Sequence, residues 1–153
     1  MTTKELAIFL KAAKKNMYAS EAAKKVAAQR LGSKDYEYTE GELMCHDTYF
    51  GSVHFIGEEV VYEHGKPQWG MNYNGYDVDE SITEEEIDKS LRAALKQNYS
   101  DAIPVRGPKS FKVENYEYSN NVVGELDRFE GREEVLKDGR LIYYAVFHGG
   151  LIK

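Results

Sequence analysis

One cysteine, one tryptophan and three prolines occur among the 153 residues, and each scarcity excludes something. A lone thiol, Cys45, cannot close an internal disulfide, so the fold must hold through its core, and a reducing, cytoplasmic compartment is expected. No apolar run approaches the roughly 20 residues that span a bilayer, which argues against a membrane partner. The opening residues, MTTKELAIFLKAAKK, lack the apolar stretch and small-residue cleavage site of a signal peptide. Phosphate-cradling glycine motifs are missing, and Gly51, Gly57, Gly65 and Gly75 read as turn punctuation. No CxxC or HExxH spacing occurs. Cys45, His46, Asp47 and His54 cluster in sequence, but adjacent residues of a strand face opposite ways, so no metal site is assigned and no cofactor is implied.

A chain of this length buries a proper core as one domain, 1–153. Its charge is unevenly spread. Residues 1–34 carry eight Lys/Arg against two Glu, whereas residues 35–153 carry twelve against twenty-four Asp/Glu, for a net of −6. An acidic body is a poor surface for nucleic acid, since phosphate contacts need clustered Lys and Arg. The basic leader could dock an acidic partner, but lying as a solvated helix face on the protein's own acidic surface explains it more simply.

Two helices are predicted. Thr2-Thr3-Lys4-Glu5 forms a capping box, followed by Leu6, Phe9, Leu10, Ala13 and Met17 on one face, which gives a helix over about 3–18. Thr83-Glu84-Glu85-Glu86 is a second capping box, with Ile87, Leu91, Ala94 and Leu95 as its stripe and an end near Tyr99. Residues 19–34 read either as a short, loosely held helix or as a lid-like loop. Period-two alternation over 42–50, and strands at about 53–63 and 67–74 joined by a turn at Glu63–Lys66, indicate antiparallel hairpins. The Pro-bracketed linker AIPVRGP follows the second helix. A second set of strands runs from Phe111, with turn signals at Asn120-Asn121 and Asp138-Gly139.

The stretch Phe55–Gly75 aligns without a gap on Phe129–Gly149, with six identities: Phe55/Phe129, Gly57/Gly131, Glu59/Glu133, Val61/Val135, Gly65/Gly139 and Gly75/Gly149. Tyr36-Glu37-Tyr38 and Tyr116-Glu117-Tyr118 stand upstream of the two copies. The expected fold is therefore α+β: an internally duplicated helix-plus-antiparallel-strands unit, with halves at about 1–80 and 81–153. The halves are related by a pseudo-two-fold axis, giving a twisted antiparallel sheet with two main helices.

Residues shared by both copies serve the common fold, so Glu59/Glu133 read first as structural carboxylates. Unmatched residues are freer to specialise. A ligand groove between the halves would draw on Trp69, Tyr73, Arg106 and His148. Arg106, held rigidly in the linker, reads equally as an anion clamp and as a salt-bridge partner of the acidic body, and His148 lies beside two glycines at a strand end. Trp69 reads more simply as core, and His148 more simply as a plain hydrogen-bonded histidine. An enzymatic alternative is a small hydrolase or isomerase using His148 with Glu59 or Asp47.

The strings Gly32-Ser33, Asp47-Thr48-Tyr49-Phe50-Gly51, Phe55-Ile56-Gly57-Glu58-Glu59-Val60-Val61, Gly65-Lys66-Pro67, Trp69-Gly70-Met71-Asn72-Tyr73, Arg106-Gly107-Pro108 and Phe147-His148-Gly149-Gly150-Leu151 resemble a family of small prokaryotic domains of unknown function. The resemblance extends from Leu6 onward. Its members occur alone or behind helix-turn-helix DNA-binding domains of the XRE type, so it implies a context but no catalytic residues. Residues 19–31 depart from it, being rich in lysine and alanine where glycine and proline are expected. The preferred expectation is a non-enzymatic small-molecule-binding or sensory module. The alternatives are the enzyme above and a protein-interaction module docking through its basic leader, and pairing into a homodimer stays open.

Overall fold

The computed structural model describes residues 1–17, 25–78, 81–98, 100 and 102–153. Helix α1 (Thr3–Asn16) is followed by β1 (Lys25–Val26), β2 (Lys34–Glu40), β3 (Leu43–Gly51), β4 (Phe55–Glu63) and β5 (Lys66–Asp77). Helix α2 (Glu84–Leu95) then precedes β6 (Ser110–Val113), β7 (Tyr116–Glu125), β8 (Arg128–Lys137) and β9 (Arg140–Leu151). Both predicted capping boxes form: the Thr2 and Thr83 hydroxyls accept from the amides of Glu5 and Glu86, whose carboxylates reach back. The second helix ends at Leu95, short of the expected end near Tyr99, which itself lies outside the described residues, as do residues 19–24 of the ambiguous segment 19–34. Of that segment, Lys25–Val26 pairs with Tyr36 and Asp35 as a two-residue strand.

All strands join one antiparallel sheet in the order β1-β2-β3-β4-β5-β9-β8-β7-β6. This corrects the expected fold class. Over the described residues the protein is mostly a nine-stranded sheet carrying two short helices, and not a balanced α+β pair of helix-plus-strand units. The reason lies in the middle of the sheet, where β5 and β9, twelve residues each, pair from Trp69↔Leu151 to Asp77↔Tyr143. Pairing between these two central strands satisfies a row of backbone groups that two separate half-sheets would leave open.

Two local readings change as well. Asn120-Asn121 lies in mid-strand in β7, and the bend comes at Leu126-Asp127. The Tyr-Glu-Tyr tripeptides occupy unlike places: one is in β2, outside β3, and the other is in β7, directly beside β8. The two hairpin turns match expectation, with positive φ at His64 and Gly65 and at Asp138 and Gly139, the mirror-image turn geometry that hairpins favour.

Both helices cover the same sheet face. Leu6, Phe9, Leu10 and Ala13 of α1 pack with Cys45, Val61, Trp69, Met71, Phe129 and Phe147. Ile87, Leu91 and Ala94 of α2 pack with Tyr118, Val135, Ile142, Tyr143 and Ala145. The Pro104–Pro108 linker is buried, which is unusual for a connection because its peptide groups need partners. Gly107 finds two: its N–H donates to Tyr118 Oη at 3.0 Å, and its carbonyl accepts from Asn120 Nδ2 at 2.8 Å. That is the work of the mid-strand asparagine.

The β5–β9 seam is tight. A methyl group at Gly149 would collide with the Gly70 carbonyl oxygen and the Met71 Cα of β5. Gly149→Ala is therefore expected to cost about 3 kcal/mol, because the obstacle is backbone. Urea unfolding reads this directly, and a midpoint equal to that of the unaltered protein would contradict the packing described here.

Candidate functional site

A cavity of about 160 Å³ lies between the covered sheet face and the helices. Its walls come from α1 (Ala13, Lys14, Met17), the strands (Asp47, Tyr49, Glu59, Tyr73), α2 (Asp88, Arg92) and the linker (Arg106). The two carboxylates arrive together by register, since Asp47 on β3 stands directly opposite Glu59 on β4. Both occupy strand positions whose neighbours of the same parity, Cys45 and Val61, are fully buried. Strand periodicity therefore sends two acids into the apolar side.

Tyr73 reaches this pair because Gly57 makes room for it: a side chain at Gly57 would overlap the Tyr73 ring. The phenol donates to Asp47 Oδ1 at 2.6 Å. Phe147 lies over Gly131 in the same way, but it has no hydroxyl to offer. The Arg106 guanidinium stands 5.9 Å from the Tyr73 ring centre, within cation–π range.

Glu59 and Glu133 align in sequence, yet their surroundings differ. Glu133, fully buried, pairs with the Arg106 guanidinium and accepts hydrogen bonds from Tyr118 Oη at 2.8 Å and Tyr143 Oη at 3.1 Å. It is a saturated structural carboxylate. Glu59 has Lys14 Nζ 3.6 Å from its Oε2, whereas its buried Oε1 has no hydrogen-bond partner. A buried polar atom of that kind is costly unless something else meets it.

The electrostatics follow from burial. Loss of water, reinforced by the charge of Glu59, pushes the Asp47 carboxyl from 3.8 up to about 7, against the pull of the Tyr73 hydrogen bond. Burial, with Asp47 beside it, also raises the Tyr73 phenol. The Cys45 thiol is raised by burial and by Glu59, which makes it a poor nucleophile. Burial works against the Arg106 charge, but Glu133 holds its pKa above the ordinary value.

Of the four residues expected to bind ligand, Tyr73 and Arg106 meet at the cavity. Trp69 is fully buried in the core, donating from Nε1 to the Leu126 carbonyl at 2.9 Å and stacking on Phe129. His148 is exposed on the opposite sheet face, between Asn72 and Glu130. Strand parity likewise puts His148 and Glu59 on opposite faces, so the pair is not assembled. The cluster around Cys45 is dispersed too: His46 bonds Asp35 at 2.8 Å, and His54 pairs with Asp77. Among the described residues no group of three or more His, Cys, Asp or Glu is placed to hold a metal ion. Asp47 entered the sequence reading only as an alternative, and Lys14 not at all. Acids at core parity on adjacent strands were the available signal.

The basic leader meets the body's own acids through the N-terminal amine with Glu63, Lys14 with Glu59 and Arg30 with Glu58. Among the described residues no helix is long and apolar enough to cross a membrane.

A family model, described as a domain of unknown function (DUF5680), matches residues 47–152. The chain belongs to the DUF5680 family. No curated protein and no solved structure matches it. The matched span starts at Asp47, so it takes in Glu59, Tyr73 and Arg106, but not α1 or Lys14, and it falls short of the expected start at Leu6.

Proposed function

We propose that this DUF5680 domain is a small-molecule-binding module whose site is the cavity at Asp47, Glu59, Tyr73 and Arg106. The observation that carries the reading is a cavity large enough for a molecule the size of benzene, lined by the two buried acids Asp47 and Glu59. A sensory role, in the manner of domains that follow helix-turn-helix regulators, is the use that the family resemblance favours, and a reducing cytoplasm suits the single thiol.

Native mass spectrometry of freshly purified protein, set against its denatured mass, looks for a retained molecule. A fragment screen supplies binders if none is retained. Ala13→Leu fills the cavity from α1, and it is expected to abolish binding while the protein still melts cooperatively. Binding unchanged in Ala13→Leu and in Tyr73→Phe would remove the cavity from consideration.

A second reading rests on Asp47 alone. A buried carboxyl that titrates near 7 is poised for general acid–base work. An activity with a pH limb near 7 that disappears in Asp47→Asn would convert the binding module into an enzyme, and loss of that limb without loss of rate would dismiss the idea.

A further inference from the structure

We infer that the ligand is a small organic cation, a primary amine or amidine of about benzene size, whose charged head sits between Asp47 and Glu59. The inference rests on the cavity being the binding site, and it adds the chemical class. Four observations support it. First, two carboxylates stand in register on neighbouring strands, and both are buried against one cavity. Second, Glu59, which lines the cavity, has a buried oxygen, Oε1, without a hydrogen-bond donor.

Third, three of the cations lining the cavity are engaged with groups outside the acid pair. Arg106 is paired to Glu133, Arg92 to its own helix's Asp88, and Lys34 to the Gly51 carbonyl. Lys14, from α1, stands 3.6 Å from Glu59 Oε2, beyond ordinary hydrogen-bond length. Fourth, the rings of Tyr73, Phe55 and Tyr49 line the cavity, and aromatic faces favour cations over anions. The groups facing Asp47 are Glu59 from β4, Tyr73 from β5, Lys14 from α1 and Arg106 from the linker. A cationic head would offset the repulsion between the two acids, which none of these four fully does.

Proton linkage distinguishes this class from its rivals. With its carboxyl titrating near 7, Asp47 is about half protonated at neutral pH. An ammonium group beside it favours the ionised form, so binding releases a proton, whereas an anion would cause uptake. The experiment is calorimetric titration near pH 7 with benzylamine, benzyl alcohol and benzoate, each in buffers of different ionisation enthalpy. Benzylamine is expected to bind roughly ten- to a hundredfold tighter than benzyl alcohol, with up to about half a proton released.

Asp47→Asn is expected to abolish the release, and Glu59→Gln to weaken benzylamine roughly tenfold or more. Both substitutions keep side-chain volume, and thermal melts confirm that each variant is folded. If benzyl alcohol or benzoate binds as tightly as benzylamine, the cavity reading stands and the cation is overturned. If benzylamine binds but neither variant weakens it, the amine lies elsewhere and the inference fails. If none of the three binds, the inference fails together with the cavity reading.

Discussion

Arg106→Leu is expected to destabilise the fold by about 4 kcal/mol. The guanidinium is the counter-charge of Glu133, which has no exposed surface and whose other donors, Tyr118 and Tyr143, are neutral phenols. Removing the cation leaves a carboxylate stranded in the core, where desolvation far exceeds what two hydroxyls return. The substitution also removes one anchor of the buried linker, in which Gly107 is bonded by Tyr118 and Asn120 and Val105 packs in the core. The double variant Arg106→Leu/Glu133→Leu is expected to recover much of the loss, because no charge then remains buried. Urea unfolding of the four members of this cycle measures the coupling. A single-variant loss of under about 1 kcal/mol would mean that the pair behaves as a solvated one.

Asp47→Asn acts in the opposite direction and stabilises the protein at neutral pH. The carboxyl's move from 3.8 to about 7 means that the folded state holds a proton the unfolded chain would already have released. Below 3.8 both states are protonated, and the group is neutral to stability. As pH rises from about 4 to about 7 the unfolded state is increasingly favoured, and above 7 the full penalty, about 4 kcal/mol, persists. Asparagine keeps an acceptor for Tyr73 and carries no charge. It is expected to regain about 2 kcal/mol at neutral pH and to flatten the profile over that window.

Asp35 marks a separate window. Burial works against its charge, yet hydrogen bonds from Ser33 and His46 hold it at about 2. Its stabilisation is present above 3.8 and disappears only as pH falls through about 2, so the two acids are separable. Chemical denaturation at several pH values between 4 and 8 compares the unaltered protein with Asp47→Asn, and parallel profiles would refute the raised carboxyl. A residue that destabilises the fold in this way is typical of sites retained for function and not for stability.

Much of this was legible in the order of residues. Thr2 and Thr83, each followed three positions later by glutamate, mark where both helices start, because a cap is a contact within four residues. His64-Gly65 and Asp138-Gly139 mark two turns for the same local reason. Asn120 misled because asparagine suits turns, while here its amide serves the linker carbonyl of Gly107, thirteen residues away. His148 and Trp69 misled as site residues because chemical type does not reveal sheet face: one is exposed on the far side and the other is saturated in the core.

The local elements, the strand alternation and membership of the DUF5680 family follow from the order of residues, because all of them depend on neighbours along the chain or on matched strings. The meeting of β5 with β9, by which a continuous sheet replaces two helix-and-strand units, emerges only in the assembled fold. The same assembly sets Glu59 and Glu133 apart, although they occupy aligned positions. Arg106 and two tyrosines converge on one of them, and the other faces a cavity with an oxygen unmet. Contacts between residues tens of positions apart leave no local trace, so the chemistry of this site is a property of the assembled sheet.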